Sequence, residues 1–238
     1  LMYQFPARYL IQFFHNHGLL SVTNRPNWYV IKGGSKTYVT ALTASFKDKI
    51  RLSTPVTGVK REKETVIVTS AQGEESYDAV FFACHSDQAL RLLAEPTVTE
   101  QQVLGAIKYQ ENEVLLHTDA SILPKRKTAW AAWNYHLLEG DQGQVPVTYN
   151  MNILQGLDSD QTFCVTLNNS DAIDQTKILK RLEYHHPIYT QESVAAQARQ
   201  SEINTDRLYF CGAYWRYGFH EDGVVSALNA LEKFKRDS

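Results

Sequence analysis

Residues 206–231, DRLYFCGAYWRYGFHEDGVVSALNAL, decide how this chain is read. Arg207 to Cys211 is an apolar run of strand length, Gly212-Ala213 is a small-residue turn, and Gly212 to His220 forms an aromatic, glycine-containing loop. From Asp222-Gly223 the spacing predicts an amphipathic helix with Val224, Leu228, Leu231 and Phe234 on one side. Such a unit has a physical use. Small residues let the backbone approach a ligand closely, and a helix start offers unsatisfied N–H groups with partial positive charge. An ordinary strand–loop–helix capped by Asp222 accounts for the same residues, so spacing alone leaves both readings open.

Upstream, Tyr77 to Ala83 (YDAVFFA) is nearly continuous apolar, the pattern of a strand buried on both faces. A helix over Ser86 to Leu93 follows it. Two β runs precede it, Ile50 to Lys60 and Thr65 to Thr69, with Val66 and Val68 alternating and Gly73 marking a turn. Earlier still, Tyr29 to Ile31 reads as a short strand, and Gly33-Gly34-Ser35 leads into a helix over Lys36 to Phe46. Ser35 reads as a capping residue, since the G-x-S-x-G pattern of a nucleophile elbow is missing. Met2 to Leu20 carries Phe5, Tyr9, Leu10, Phe13 and Phe14 near helical spacing and ends near His17-Gly18, before a loop with Arg25-Pro26. The middle of the chain differs. Val114 to Thr118, Ala129 to Leu137, Thr148 to Met151 and Phe163 to Leu167 predict a mostly antiparallel sheet, with a helix over Gln175 to Tyr184 after it.

Hydrophobic residues at 43% and charged residues at 21% are the composition of a folded protein. A net charge of -2 gives no electrostatic drive toward nucleic acid or an anionic membrane. No stretch approaches the roughly 20 apolar residues of a membrane helix, and the first residues carry no signal pattern, so a cytoplasmic protein is expected. Cys84, Cys164 and Cys211 lie in FFACHS, TFCVTL and YFCGAY without redox or metal spacing, as buried free thiols of a reducing compartment would. His15, His17 and the His185-His186 pair lack i, i+4 spacing with an acid, so no metal site is expected. Trp130, Trp133 and Tyr135 suit either an apolar substrate pocket or the core, with at least one of them expected in the core.

The 206–231 stretch resembles the C-terminal FAD-contacting segment of flavin amine oxidases and their phytoene-desaturase relatives. Gly212 and Ala213 match the turn beside the flavin and ribityl chain, and Phe219, after Gly218, matches an aromatic that faces the isoalloxazine ring. Glu221, Asp222, Gly223 and Val224 match the helix start. Ala213 stands where many members carry an acidic residue. Gly33-Gly34-Ser35, IRLSTPVTGVKREKETVIV and YDAVFFAC together resemble the family's central segment. There Val56 matches a residue whose backbone contacts adenine, Val59 its core-facing partner, and Asp78, Val80 and Ala83 the last strand. RPNWYVIKGGS, LLHTD, AWNYH and GFHEDG resemble a bacterial subgroup of such proteins.

The resemblance implies an α/β FAD-binding domain of the glutathione-reductase type joined to an α+β substrate domain. Residues 24–94 and 201–238 would be the central and C-terminal segments of the FAD domain. Residues 1–23 would be a helical piece of the substrate domain, and 95–200 its antiparallel sheet with helices. It further implies FAD as cofactor and a small-molecule substrate, either an amine or an apolar lipid- or terpenoid-like compound, that loses a hydride. No G-x-G-x-x-G occurs in the 238 residues, and in the family that fingerprint opens the chain in a βαβ unit. The expectation is therefore an N-terminally truncated chain with weak or absent FAD binding. An apolar face would be left where the unit docks, covered by another copy in a homo-oligomer. Asn112 and Glu113 stand where many amine oxidases carry a lysine near the flavin, with Lys108 several residues away, so no catalytic residue is named. The alternative is a cofactor-free, inert chain that folds by self-association.

Overall fold

The computed structural model describes residues 5–24, 26–27, 29–138 and 144–237. Met2, at the expected start of the first helix, and Arg25 of the expected loop lie outside them. In chain order, α1 (Ala7–Asn16) and α2 (Lys36–Thr43) precede β1 (Val56–Arg61), β2 (Val66–Ser70), β3 (Gly73–Tyr77) and β4 (Val80–Phe82). Next come α3 (Ser86–Leu92), α4 (Val98–Ala106), β5 (Tyr109–His117), β6 (Trp133–Tyr135) and β7 (Val147–Asn150). The remainder is α5 (Met151–Gln155), β8 (Cys164–Leu167), β9 (Ile178–Pro187), α6 (Gln191–Gln197), α7 (Gln200–Ile203), β10 (Leu208–Phe210) and α8 (His220–Asp237). The chain folds into two compact units. One comprises Leu1–Arg25, Ile50–Tyr109 and Pro187–Ser238, the other Pro26–Lys49 and Gln110–His186.

In the first unit β1, β2 and β3 form an antiparallel meander, with Val59 opposite Val68 and Val66 opposite Tyr77. β4 and β10 pair in parallel, Val80 beside Leu208 and Phe82 beside Phe210, although the two strands lie far apart in sequence. Val59, Phe82, Leu104, Ile203, Leu208 and Phe210 lie in the core between these sheets and their helices. α4 starts with a reciprocal cap. The Glu100 N–H donates to Thr97 Oγ1 at 3.2 Å, and the Thr97 N–H donates to Glu100 Oε2 at 2.8 Å. Arg61 donates to the other Glu100 oxygen, so this buried carboxylate is fully engaged.

α8 packs on β10 with Asp222, Ser226 and Ala230 turned inward. Val224, Leu228 and Leu231 point outward, 52%, 54% and 38% exposed. Phe234, expected on the same side, instead packs against Phe81 and Tyr209. Only small residues at i, i+4 and i+8 let the helix approach β10 closely, so the small stripe takes the inner face.

Three strand assignments also change. Tyr77 to Ala83 is not one strand: Tyr77 closes β3, β4 holds only three residues, and Phe81 stays 39% exposed. β1 begins at Val56 and not at Ile50. Tyr29, Val30 and Ile31 are exposed and form no ladder among the described residues, so they are not a strand.

The second unit holds a five-stranded sheet in the order β6-β7-β8-β5-β9. The β6–β7, β7–β8 and β8–β5 pairs are antiparallel, as the spacing predicts. The predicted helix over Gln175 to Tyr184 is instead a short 3-10 turn followed by edge strand β9. Ile178, Leu179 and Leu182 have helical spacing, but the open edge of β5 offers a ladder, and tertiary pairing overrides local preference. Pro187 ends the strand, as suits an edge position. Trp133 and Tyr135 are exposed and Trp130 is half-buried, so none of the three is core. Ser35 precedes α2 but makes no side-chain cap bond; Thr37 Oγ1 donates to Gly34 O instead.

A polar chain crosses this sheet. The Asp119 N–H donates to His117 Nδ1 at 3.1 Å, which leaves the proton on Nε2 to donate to Thr166 Oγ1 at 2.7 Å. The Thr166 hydroxyl then donates to Thr148 Oγ1 at 2.8 Å, and the Thr148 hydroxyl to His136 Nε2 at 2.8 Å. His117, Thr148 and Thr166 are buried.

Candidate functional site

The candidate site is the junction between β10 and α8 in the first unit. Gln200 and Asn204 hold β10 in place: Gln200 Nε2 donates to Phe210 O and Ser226 O, and the Phe210 N–H donates to Asn204 Oδ1. The chain leaves the sheet at Gly212, whose N–H donates to Ser226 Oγ at 2.8 Å. Ser226 Oγ donates in turn to Gly223 O at 2.8 Å, tying the turn to the first turns of α8. A Cβ on Gly212 would lie 2.7 Å from Tyr214 Cδ1, so the protein's own packing requires glycine there.

The loop that follows is clamped from outside. Arg216 O accepts from Tyr9 Oη and from Gln197 Nε2, both at 2.6 Å, and Tyr214 O accepts from Gln197 Nε2 at 2.8 Å. Burial raises the Tyr9 phenol well above its ordinary pKa, so it stays a protonated donor, and pushes Tyr189 up to about 12. The Phe219 ring stacks on Phe13 of α1 with centroids 6.0 Å apart and lies 5.0 Å from the His17 ring. Asp222 is 6% exposed and accepts the Phe219 N–H at 3.0 Å, with Arg216 Nε 3.6 Å from its other oxygen. Its charge is therefore directed at backbone and Arg216.

Gly223 differs from Gly212. It is helical, and an added Cβ would meet nothing nearer than Ala213 N at 3.9 Å. Neither backbone nor packing demands glycine there, because a Cβ would sit in ordinary contact with its neighbour. Glu221, Val224 and Phe219 are exposed.

Gly212, Ala213, Phe219, Glu221, Asp222, Gly223 and Val224 thus come together at one strand–helix junction. Val56 sits elsewhere in the unit, as the first residue of β1 beside a bulge, and is 39% exposed. The sequence reading missed Tyr9, Gln197 and Ser226. Ser226 left one signal, the small-residue stripe it forms with Asp222 and Ala230. Tyr9 left none, since it binds Arg216 across 207 residues.

In the second unit, Asn112 is buried on β5; its Nδ2 donates to Gln110 O, and its Oδ1 accepts from Asn168 Nδ2. It is a structural amide, not an amine poised for chemistry. Glu111, Glu183 and His185 place their ligand atoms within 4.8 Å of one another, but all three are exposed. Cys84, Cys164 and Cys211 are free thiols, and burial pushes Cys164 up to about 11. No helix among the described residues is long and apolar enough to cross a membrane.

At the junction Ala213 is small, and a Cβ on Gly223 would meet only the Ala213 nitrogen, at 3.9 Å. The structure is similar to a candidate protoporphyrinogen oxidase from Exiguobacterium sp. 255-15, at 13% identity and TM-score 0.66, covering 98% of this chain and 58% of that one. It is also similar to cyclohexylamine oxidase from Brevibacterium oxydans IH-35A, at 13% identity and TM-score 0.61, over 98% of this chain and 61% of that one. A fatty acid isomerase from P. acnes that produces CLA matches at 13% identity and TM-score 0.58, over 84% and 52%. The sequence profile of the flavin containing amine oxidoreductases matches residues 5–151, and the chain belongs to that family. No curated protein sequence matches significantly. The chain spans less than two thirds of the length of these solved relatives.

Proposed function

We propose that this chain supplies the flavin-facing junction and the substrate-side sheet of an FAD-dependent oxidoreductase. The observation that carries the reading is Gly223, a helical glycine that the protein's own packing does not require. On this reading the unit of residues 1–25, 50–109 and 187–238 serves the flavin side, and the unit of 26–49 and 110–186 the substrate side, so 26–49 leave the expected flavin segment and 1–23, 95–109 and 187–200 join it. Gly212 and Ala213 would lie beside the ribityl chain, the α8 N–H groups would face the electron-rich ring edge, and Val56 would meet the adenine end. FAD, when bound, supplies the electron acceptor for a hydride. The chain's own residues orient and shield: Asp222 caps α8 instead of facing the ring, and Tyr9 and Gln197 hold the aromatic loop. The pyrophosphate anchor would come from outside these 238 residues, which contain no G-x-G-x-x-G.

The substrate class is an amine or an apolar lipid- or terpenoid-like molecule. The bonded, buried Asn112 supplies no amine near the reaction, which favours a flavin-driven hydride abstraction without a lysine-held water. A second reading, a cofactor-free chain that self-associates, is favoured by the outward stripe of Val224, Leu228 and Leu231.

The test is flavin content in a chain that carries a dinucleotide unit. Gly223→Val is expected to lose the flavin absorbance at about 450 nm, while Asp222→Asn keeps the cap and most of the flavin. Full flavin in Gly223→Val would move the cofactor away from the α8 start.

A further inference from the structure

A cavity of about 560 Å³ opens in the first unit beside α1, α6 and the loop at residues 215–217. Its apolar wall is buried and bonded in place. Trp215 is 3% and Tyr9 8% exposed, and Tyr9 lies 4.6 Å from Tyr217 with its hydroxyl bonded to Arg216 O. Val194 of α6 continues this wall.

The charges around the cavity are of one sign. Arg8 and Arg216 line it, and no Asp or Glu does among the described residues. Arg216 has a counter-ion, with Nε 3.6 Å from Asp222 Oδ1. Arg8 makes no ion pair and no side-chain hydrogen bond among the described residues. An unpaired guanidinium beside a preformed aromatic wall suits an anion with a flat apolar group. The planar donors take a carboxylate in two parallel bonds, and the wall buries the remainder without first having to become ordered.

We infer that this cavity binds a small amphipathic carboxylate, its apolar end against Trp215 and Tyr9 and its anion on Arg8. The site needs no flavin, so it stands or falls separately from the oxidoreductase reading.

Three probes with one skeleton test it by calorimetry on the 238-residue chain: 4-phenylbutyrate, 4-phenylbutanamide and 4-phenylbutylamine. The carboxylate is expected to bind, the amide about tenfold more weakly for want of the charge, and the ammonium ion more weakly still. Arg8→Gln, a change at an exposed residue that leaves the wall intact, should bring the carboxylate to the level of the amide. Ala195→Trp, on the exposed side of α6, should block all three by filling the cavity. Equal or tighter binding of the amine would overturn the assignment. Carboxylate binding indifferent to Arg8→Gln, or no carboxylate binding at millimolar concentration, would do the same. Flavin absorbance of the same samples reports on the junction at Gly223, so failure of one reading leaves the other distinguishable.

Discussion

At the scale of the residue, two glycines carry opposite messages. Gly212 faces the Tyr214 ring, and any Cβ there collides with it. Gly212→Ala is therefore expected to cost about 1–3 kcal/mol, as overpacking does. Gly223 sits in a helix where a Cβ would meet nothing nearer than 3.9 Å, so Gly223→Ala should raise stability by about 0.5–1 kcal/mol through helix propensity. Paired denaturant melts of the two variants check both signs, and equal losses would mean the space above Gly223 is filled by the protein itself. Sequence alone marked both positions as small and could not separate them. The reason for Gly212 is a ring two residues on that folds back over it, and the reason offered for Gly223 is a ligand. Asp119 makes a third residue-scale case. Burial would raise its pKa, but the Asp174 N–H and Ser121, with Lys177 after them, hold the carboxyl well below its usual range. Asp119→Ala leaves the Asp174 N–H unpaired and is expected to destabilise the second unit by about 2 kcal/mol.

Among the elements, the sheet of the second unit shows what pattern can and cannot deliver. β7 and β8 were legible because Thr148, Thr166 and their neighbours lie in short runs of β-formers. β9 was not, because its apolar residues are spaced as in a helix and only the edge of β5 makes it a strand. The chain from His117 through Thr166 and Thr148 to His136 was hidden for the same reason, since register decides which hydroxyls meet. Its direction has consequences. Thr148→Val strands one donor and one acceptor and should cost about 1–3 kcal/mol. The double variant with Thr166→Val should cost less than the sum of the two single changes. Burial also lowers the pKa of His117 and of His136. Unfolded histidines take up protons near the ordinary value of about 6.5, before the folded ones do. Stability should thus be full above that value and fall as pH drops below it, down to the lowered folded values. A denaturation midpoint that is the same at neutral pH and one unit below 6.5 would show that the histidines are not held neutral.

For the whole molecule, both units are assembled from separated stretches of chain. Several local elements, such as α2, α3 and the antiparallel strands β7 and β8, were legible in the spacing, but α1 joining the unit of β10 depends on long-range contacts such as Tyr9 to Arg216, which leave no trace in it. The position of α8 was legible, and which of its faces meets β10 was not, since the inward face is set by Asp222, Ser226 and Ala230. Its outward stripe gives a further prediction: Leu228→Lys should leave the melting temperature within experimental scatter and raise solubility, because Leu228 is 54% exposed. Ala230→Leu, on the inner face, should destabilise the fold by about 1–3 kcal/mol. Light scattering and thermal melts on the two variants separate the faces, and the reverse result would mean α8 is rotated. The pairing of β4 with β10 has a consequence for synthesis. Phe82 and its hydrogen-bonded partner Cys211 are 129 residues apart. At about 5–20 residues per second on a ribosome, β4 waits on the order of 10 s for its neighbour, with Phe81 and Phe82 beside an unpaired edge. The nascent chain should therefore depend on chaperones far more than the finished one.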